Sequence, residues 1–262
     1  MKKQPKNIKR EYERALVFAD PHAPEHDVRT VGAVLSYART QWWDYCVILG
    51  DFMDFGCISH HNKNKLRQVE GQRVMLDYDI ANMLLDQIRA AVQKKNPACK
   101  IALLEGNHDE WVERYMDALP ALSGMLDVAK NLRLKERGIE WVRAWSQNKL
   151  YNIGNAYFHH GLYINKYHAA KMVDVFGVPI FYGHAHDLQS YSKVFQGDDK
   201  TVIGQSLGCL CEYDQRYMKG RPNKWQQAFA EFNVFPDGFF QYAVTPIFKH
   251  RFVGRDGKVY GG

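Results

Sequence analysis

The stretch R-A-L-V-F-A-D-P-H, residues 14–22, decides the fold expected of this chain. Its first part, Arg14–Ala19, is an apolar run of the length and composition typical of a buried strand. The run ends at Asp20, and His22 follows two positions later. Because residues i and i+2 of an extended segment face the same side, Asp20 and His22 are expected to reach one ligand together.

The same order, an apolar strand followed by a polar cluster, recurs twice in the first half of the chain. The predicted elements there are strands at Tyr45–Leu49 and Lys100–Leu104 and helices at Asp27–Gln41 and Val69–Val92. Asp51 follows the second strand, and Asn107 and His108 follow the third. Strands that alternate with helices indicate a parallel sheet, whose carboxyl ends meet at one edge. The three polar clusters are therefore expected to converge.

The second half of the chain is richer in predicted strands. These are Lys149–Ile153, Ala156–His159, Pro179–Tyr182, Tyr191–Phe195, Thr201–Ser206, Ala228–Val234 and Phe239–Val244. Helices are predicted at Tyr163–Phe176 and, broken near Pro120, within Glu110–Arg137. Two further polar clusters follow strands here, His159-His160-Gly161 and Gly183-His184-Ala185-His186. With no repeat and no linker, the pattern favours one domain over residues 14–262.

The composition is that of an ordinary globular protein, since 46% of the 262 residues are hydrophobic and 24% are charged. No apolar run approaches the length of a membrane span or follows the charged N-terminus as a signal peptide would. The five cysteines form no C-x-x-C pair, which favours reduced thiols, although Cys209-Leu210-Cys211 could touch a metal. We therefore expect a cytoplasmic protein that does not bind membranes.

The net charge of +6 is partly concentrated in a basic tail over residues 1–13. A solvated tail is favoured over a nucleic-acid-binding arm, because short basic tails are common. The excess is nevertheless compatible with a polyanionic substrate.

The clusters carry carboxylate, imidazole and amide groups, which together suit divalent cations. A carboxylate has two oxygens, so one aspartate can bridge two ions that lie roughly 3.5–4 Å apart. Such a pair activates water for attack on phosphorus without a nucleophilic side chain. Manganese is the first expectation for the two ions, with iron, zinc, cobalt and nickel as alternatives.

The ordered motifs D-x-H, G-D-x-x-D, G-N-H-D, H-G and G-H-x-H run from Asp20 to His186. In this order they resemble the calcineurin-like metallophosphoesterase superfamily. The resemblance implies an α/β fold in which two β-sheets pack as a sandwich flanked by helices, in four layers. It also implies a hydrolase of phosphate esters with a centre of two metal ions.

The resemblance also assigns roles to individual residues. It implies Asp20, His22 and His186 on the first ion, Asn107, His160 and His184 on the second, and Asp51 on both. His108 resembles the acid of the family, Asp109 would orient His108, and Asp54 would support a ligand. His159 competes with its neighbour His160 for one role, and the position of His160 directly before Gly161 favours His160.

The substrate class is suggested by one departure from the protein Ser/Thr phosphatases, which carry G-D-x-x-D-R-G and G-N-H-E. Phe55 stands in place of the arginine and Asp109 in place of the glutamate, so G-N-H-D resembles the phosphodiesterase and nuclease branches. The leading hypothesis is a phosphodiesterase for nucleic acid or nucleotide-like diesters. A phosphomonoesterase is the alternative, and a scaffold without activity is disfavoured because no expected ligand is missing.

Two segments between the motifs could shape the substrate site. Phe55–Arg73 contains His60, His61, Lys63, Lys65 and Arg67, and Trp111–Asn148 contains Arg114, Trp141, Arg143 and Trp145. Basic and aromatic side chains together can bind nucleotides by phosphate contact and base stacking. For the second segment the alternative is a strand over residues 141–145 with its tryptophans in the core.

Overall fold

The structure, a computed structural model, describes residues 10–195, 197, 200–215 and 218–262. Residues 1–9, most of the predicted basic tail, lie outside this described part of the chain. Within it, none of the helices has the length and apolar character needed to cross a membrane.

Along the described chain, strands and helices alternate in the first half, and strands dominate the second. The helices are α1 Val28–Ala38, α2 Val74–Val92, α3 Asn107–Ala118, α4 Val128–Asn131, α5 Leu134–Arg137 and α6 His168–Phe176. The strands are β1 Glu13–Phe18, β2 Tyr45–Ile48, β3 Lys100–Leu104, β4 Ile139–Val142, β5 Tyr151–Ile153, β6 Ala156–His159, β7 Ile180–Tyr182, β8 Ser190–Phe195, β9 Lys200–Ser206, β10 Gln227–Val234, β11 Phe240–Ile247, β12 Arg251–Val253 and β13 Val259–Gly261.

Most of these strands belong to two large sheets. The first has the order β11-β10-β1-β2-β3-β4, in which β1 to β4 are parallel to one another. Strand β10 is antiparallel to β1, and β11 is antiparallel to β10. The second has the order β5-β6-β7-β9-β8, with β6, β7 and β9 parallel. The strands β12 and β13 form a small separate hairpin.

Alternation along β1 shows how the layers pack. Ala15 and Val17 share a buried cluster with Phe158 of β6, so this face of the first sheet packs on the second sheet. Leu16 and Phe18 share another cluster with buried side chains of α1 and α2. A third cluster packs α6 on the outer face of the second sheet. The predicted sandwich of two sheets flanked by helices is confirmed.

Several element boundaries differ from the prediction for local reasons. Helix α1 begins at Val28 because Asp27 caps it, and the Oδ1 atom of Asp27 accepts a hydrogen bond from the Thr30 amide at 2.9 Å. Helix α2 begins at Val74, five residues later than predicted, because the preceding chain forms short turns. The hairpin of β12 and β13 was not predicted, since strands of three residues are too short to show a periodicity.

Candidate metal centre

The predicted metal ligands lie at the carboxyl ends of strands from both sheets. They are Asp20 and His22 after β1, Asp51 after β2, Asn107 after β3, His160 after β6, and His184 and His186 after β7. Ligand sites in α/β sheets lie at such ends. The centre therefore lies at one end of the sandwich, where the two sheets meet.

The first group of side chains consists of Asp20, His22, Asp51 and His186, whose ligand atoms all lie within 4.8 Å of one another. The Nε2 atom of His22 lies 3.1 Å from Nε2 of His186 and 3.6 Å from Oδ2 of Asp51. The Oδ1 atom of Asp20 lies 3.8 Å from Nε2 of His186. Two imidazoles and two carboxylates this close together could hold a divalent cation.

The second group consists of Asp51, His160 and His184, again with ligand atoms within 4.8 Å of one another. The Nε2 atom of His160 lies 3.4 Å from Oδ2 of Asp51 and 3.0 Å from Oδ1 of Asn107. Asp51 belongs to both groups, so its carboxylate is placed where it could bridge two ions.

The structure also separates the two neighbouring histidines. The ring of His160 faces the carboxylates, and its Nδ1 atom lies 2.8 Å from the Leu49 carbonyl oxygen. The ring of His159 points away, with Nε2 2.8 Å from the Ala144 carbonyl oxygen. Burial lowers the pKa of His159 to about 4, so it is a neutral side chain of the interior.

The environment of Asp20 fits a metal ligand. The side chain is fully buried, and Oδ2 accepts a hydrogen bond from the His184 amide at 2.9 Å. The other oxygen, Oδ1, has no hydrogen-bond partner among the residues that the structure describes. Burial raises the pKa of Asp20 to about 7. A buried carboxylate oxygen without a partner is costly unless a cation or a proton neutralises it, so a divalent ion suits this position.

Charge at the shared carboxylate also favours a cation. Burial alone would raise the pKa of Asp51, but the imidazoles of His160 and His108 hold it well below its usual range. Burial alone would likewise lower the pKa of His160, but the Asp51 carboxylate raises it to about 9. Asp51 is therefore ionised and attracts positive charge.

His108 lies in the first turn of α3, beside both groups. Its Nδ1 atom lies 2.8 Å from the Asp54 carbonyl oxygen, which can only accept, so Nδ1 donates and Nε2 points toward Asp51 at 3.9 Å. The two oxygens of Asp109 accept instead from backbone amides, that of Gly106 at 2.9 Å and that of Met53 at 3.4 Å. The contact that orients His108 is thus made by Asp54, which differs from the role predicted for Asp109.

Comparison with known proteins bears on this arrangement. A family model described as calcineurin-like phosphoesterase matches residues 13–188. The chain belongs to the calcineurin-like phosphoesterase family. The predicted activity class, a metal-dependent hydrolase of phosphate esters, is therefore confirmed, and members of this family bind two divalent metal ions.

Solved structures with similar folds have low sequence identity to this phosphoesterase. Vps29 from Chaetomium thermophilum is 13% identical, with a TM-score of 0.44 and coverage of 94% of each chain. A single mutant of Vps29 from Entamoeba histolytica is 13% identical, with a TM-score of 0.42 and coverage of 90% of this chain and 99% of that one. The nuclease MPE from Pseudomonas putida is 16% identical, with a TM-score of 0.38 and coverage of 89% and 87%. No curated protein matches the chain.

The backbone of the phosphoesterase is strained at its centre. Left-handed conformations, with φ between 43° and 65°, occur at Asp20, His22, Asp51, His184 and His186. Residues with a Cβ atom adopt this region at a cost of about 1–3 kcal/mol each, and such strain clusters at functional sites. Five of the seven predicted ligands are among the eleven non-glycine residues of the described chain that have a positive φ.

Two glycines let the carboxylates approach the neighbouring backbone closely. A Cβ atom at Gly106 would meet the carboxylate and backbone nitrogen of Asp51, and one at Gly183 would meet the carboxylate of Asp20. Both positions have φ values that any residue can adopt. Glycine is therefore required there because a Cβ atom would not fit, and not because of the backbone conformation.

Replacing Gly106 with alanine is expected to displace Asp51 and to lower the free energy of unfolding by about 1–3 kcal/mol. Urea unfolding and the metal content of the purified protein measure the two effects. Gly32 of α1 is the matched control, because a Cβ atom there meets nothing within 4 Å. Gly32→Ala is expected to raise the free energy of unfolding by about 0.5–1 kcal/mol. Similar behaviour of the two variants would contradict this account.

Three half-buried tryptophans surround the centre, and we call them the aromatic collar. The ring centroids are 3.8 Å apart for Trp111 and His108, 5.3 Å for Trp145 and His184, and 4.5 Å for Trp225 and His186. Trp225 was not predicted, because it lies between β9 and β10 in a segment without periodicity or a recognisable motif.

The C-x-C pair lies behind one predicted ligand. The Sγ atom of Cys211 is 4.0 Å from Nδ1 of His186, on the ring edge opposite to the contact with His22. Cys209 and Cys211 are fully buried, and burial raises the pKa of the Cys211 thiol well above its usual range. A neutral thiol in this position is consistent with packing behind the ligand.

Proposed function

We propose that the chain is a phosphodiesterase that cleaves nucleic acid or nucleotide-like diesters with two metal ions, manganese being the first candidate. The proposed ligands are Asp20, His22, Asp51, Asn107, His160, His184 and His186. The proposed acid is His108. The burial of Phe55 carries the preference for diesters over monoesters.

Phe55 stands where the protein Ser/Thr phosphatases carry an arginine. The side chain is fully buried, and its ring lies 5.4 Å from that of Tyr78 in α2. An arginine here could bind the additional negative charge of a monoester through two hydrogen bonds. A buried phenylalanine offers no such contact, which favours the less charged diester.

The aromatic collar supports a nucleotide as the rest of the substrate, since indole rings stack with bases of any sequence. The loop that carries Trp145 is held in place by Glu105, a buried residue. Its Oε2 atom accepts from the Ser146 amide at 2.8 Å and hydroxyl at 2.6 Å, while Oε1 pairs with Arg143 at 2.8 Å. A ring on a fixed loop loses little freedom when a base stacks on it.

The basic residues of the second predicted substrate segment, Trp111–Asn148, support the proposal less directly. Arg114 pairs with Glu110 at 2.7 Å, and Arg143 pairs with Glu113 at 2.7 Å. Trp141 packs partly against the core. The contribution of this segment to binding therefore rests on its collar tryptophans and less on its arginines.

The side chains around the centre are suited to moving a proton to the leaving oxygen. Bound ions would supply Lewis acidity toward the phosphate and would activate water. Donation of Nδ1–H to the Asp54 carbonyl fixes the ring of His108 and leaves Nε2 for the leaving oxygen. Burial lowers the pKa of His108, whereas the carboxylates of Asp51 and Asp54 oppose this effect. A proton held there is therefore readily released.

The proposal is tested with manganese-loaded protein on two chromogenic substrates. We expect kcat/KM for bis(p-nitrophenyl) phosphate to exceed that for p-nitrophenyl phosphate by at least about tenfold, the loss expected when one charge-pairing contact is missing. Metal-free protein is the control for contaminating phosphatases. A preference for the monoester would replace the proposal with a phosphomonoesterase.

A further inference from the structure

We propose that a cleft beside the metal centre binds the edge of a nucleobase that carries an exocyclic amine. This inference rests on the proposed diesterase function and names the group that the cleft recognises in the substrate. The aromatic collar would contact the face of a base, whereas this cleft would bind hydrogen-bonding groups at a base edge.

The cleft has a volume of about 30 Å³, room for about two water-sized groups, so it could admit the polar edge of a base but not a whole ring. Most of its lining is polar. The polar side chains are Glu25, Asp54, Asn62, Gln68, Gln72 and Gln215.

Asp54 is the wall that the cleft shares with the metal centre. Its Oδ1 atom lies 3.3 Å from Nδ1 of His22 and 3.6 Å from Nδ1 of His108. One side chain therefore separates the cleft from a predicted ligand and from the proposed acid. A group bound in the cleft would therefore lie next to a phosphate bound at His108.

Within the described part of the chain, three side-chain amide atoms in the lining have no hydrogen-bond partner. Gln215 is 2% exposed, and neither its Nε2 nor its Oε1 atom has a partner among the described residues. The Oε1 atom of Gln72 is also buried without a partner. Buried amides are costly when their hydrogen bonds are not made. A ligand that both donates and accepts hydrogen bonds would satisfy these atoms.

The chemistry of the lining points to a base edge. A glutamine amide presents a donor and an acceptor side by side and can bind the edge of a base with two hydrogen bonds. The carboxyl groups of Glu25 and Asp54 can accept from an exocyclic amine, and they disfavour a second phosphate in the cleft. Adenine, cytosine and guanine carry such an amine, whereas thymine does not.

The test compares substrates with and without a base, using manganese-loaded protein. The base-bearing substrates are the p-nitrophenyl diesters of deoxyadenosine 5′-phosphate and thymidine 5′-phosphate, and bis(p-nitrophenyl) phosphate is the substrate without a base. We expect the deoxyadenosine diester to have the higher kcat/KM of the two nucleotides. Gln215→Leu should lower this kcat/KM by about tenfold and that of the substrate without a base by less than about twofold.

Two further variants complete the test. Gln72→Leu should lower kcat/KM for the deoxyadenosine diester in the same direction, and it provides the comparison if Gln215→Leu does not fold. Gln241→Leu, at an exposed position of β11, is the matched control and should change neither substrate. Equal losses on all substrates, or no loss on any, would overturn the base-binding role.

Failure of the proposed diesterase function and failure of the base-binding role of the cleft give different results. Failure of the wild-type protein to hydrolyse bis(p-nitrophenyl) phosphate would reject the diesterase function itself. The cleft is then tested by calorimetric titration with adenosine, which has no phosphate. Binding that Gln215→Leu or Gln72→Leu weakens about tenfold supports the cleft, and no binding to the wild-type protein overturns it.

Discussion

Asp51→Asn is expected to lower kcat/KM for bis(p-nitrophenyl) phosphate by at least about a thousandfold. The carboxylate of Asp51 takes part in both groups of candidate ligands, and its Oδ1 atom also accepts a hydrogen bond from the His108 amide at 2.8 Å. Asparagine has a similar shape but no charge and only one oxygen. We therefore expect at least one of the two ions to be lost, which elemental analysis of the purified variant would measure.

The matched control for this variant is Asp79→Asn, at an exposed position of α2. It removes the same charge from an exposed side chain that is in neither group of candidate ligands, and it should leave both activity and metal content unchanged. An Asp51→Asn protein that kept its full metal content and lost activity would show that Asp51 serves the reaction without bridging the ions.

His108→Ala is expected to lower kcat by about a hundred- to a thousandfold while the metal content stays unchanged. The side chain belongs to neither of the two groups that share Asp51, although with His22 and Asp54 it forms a third group that could hold an ion, so metal content is the decisive measurement. An acid contributes most when the leaving oxygen is a poor leaving group. The loss should therefore be larger for a dinucleotide, which releases an alcohol, than for bis(p-nitrophenyl) phosphate, which releases p-nitrophenolate.

Two measurements distinguish this role from others. If metal content fell as far as activity in His108→Ala, the residue would be a ligand. If the loss were the same for both leaving groups, His108 would stabilise charge at the phosphate without transferring a proton.

The sequence predicted the part of the fold that depends on local patterns. Strands β1, β2 and β3 were found because each is a short apolar run that ends at a polar cluster. All five clusters were linked to strand ends by the same pattern, and motif position favoured His160 over His159. These features depend on residues that are neighbours in the chain, so periodicity reveals them.

The features that were not predicted depend on contacts between distant segments. The partner of His108 is a backbone carbonyl of residue 54, and backbone atoms leave no trace in a motif. Trp225 and Gln215 come from the irregular connection between β9 and β10, where no periodicity marks a position. Helix α3 begins at Asn107 and not at Glu110, because the Asp109 carboxylate accepts from the Gly106 amide and closes its first turn.

The division of the candidate ligands between the two sheets has a mechanical consequence. Asp20 and Asp51 follow strands of the first sheet, and His160 and His184 follow strands of the second, while apolar side chains of both sheets share one buried cluster. Apolar contact is not directional and allows layers to slide, whereas coordination fixes both distance and angle. Ions bound here would therefore cross-link the two layers. The chain would lose stiffness at that end of the sandwich, as well as chemistry, when its metals are removed.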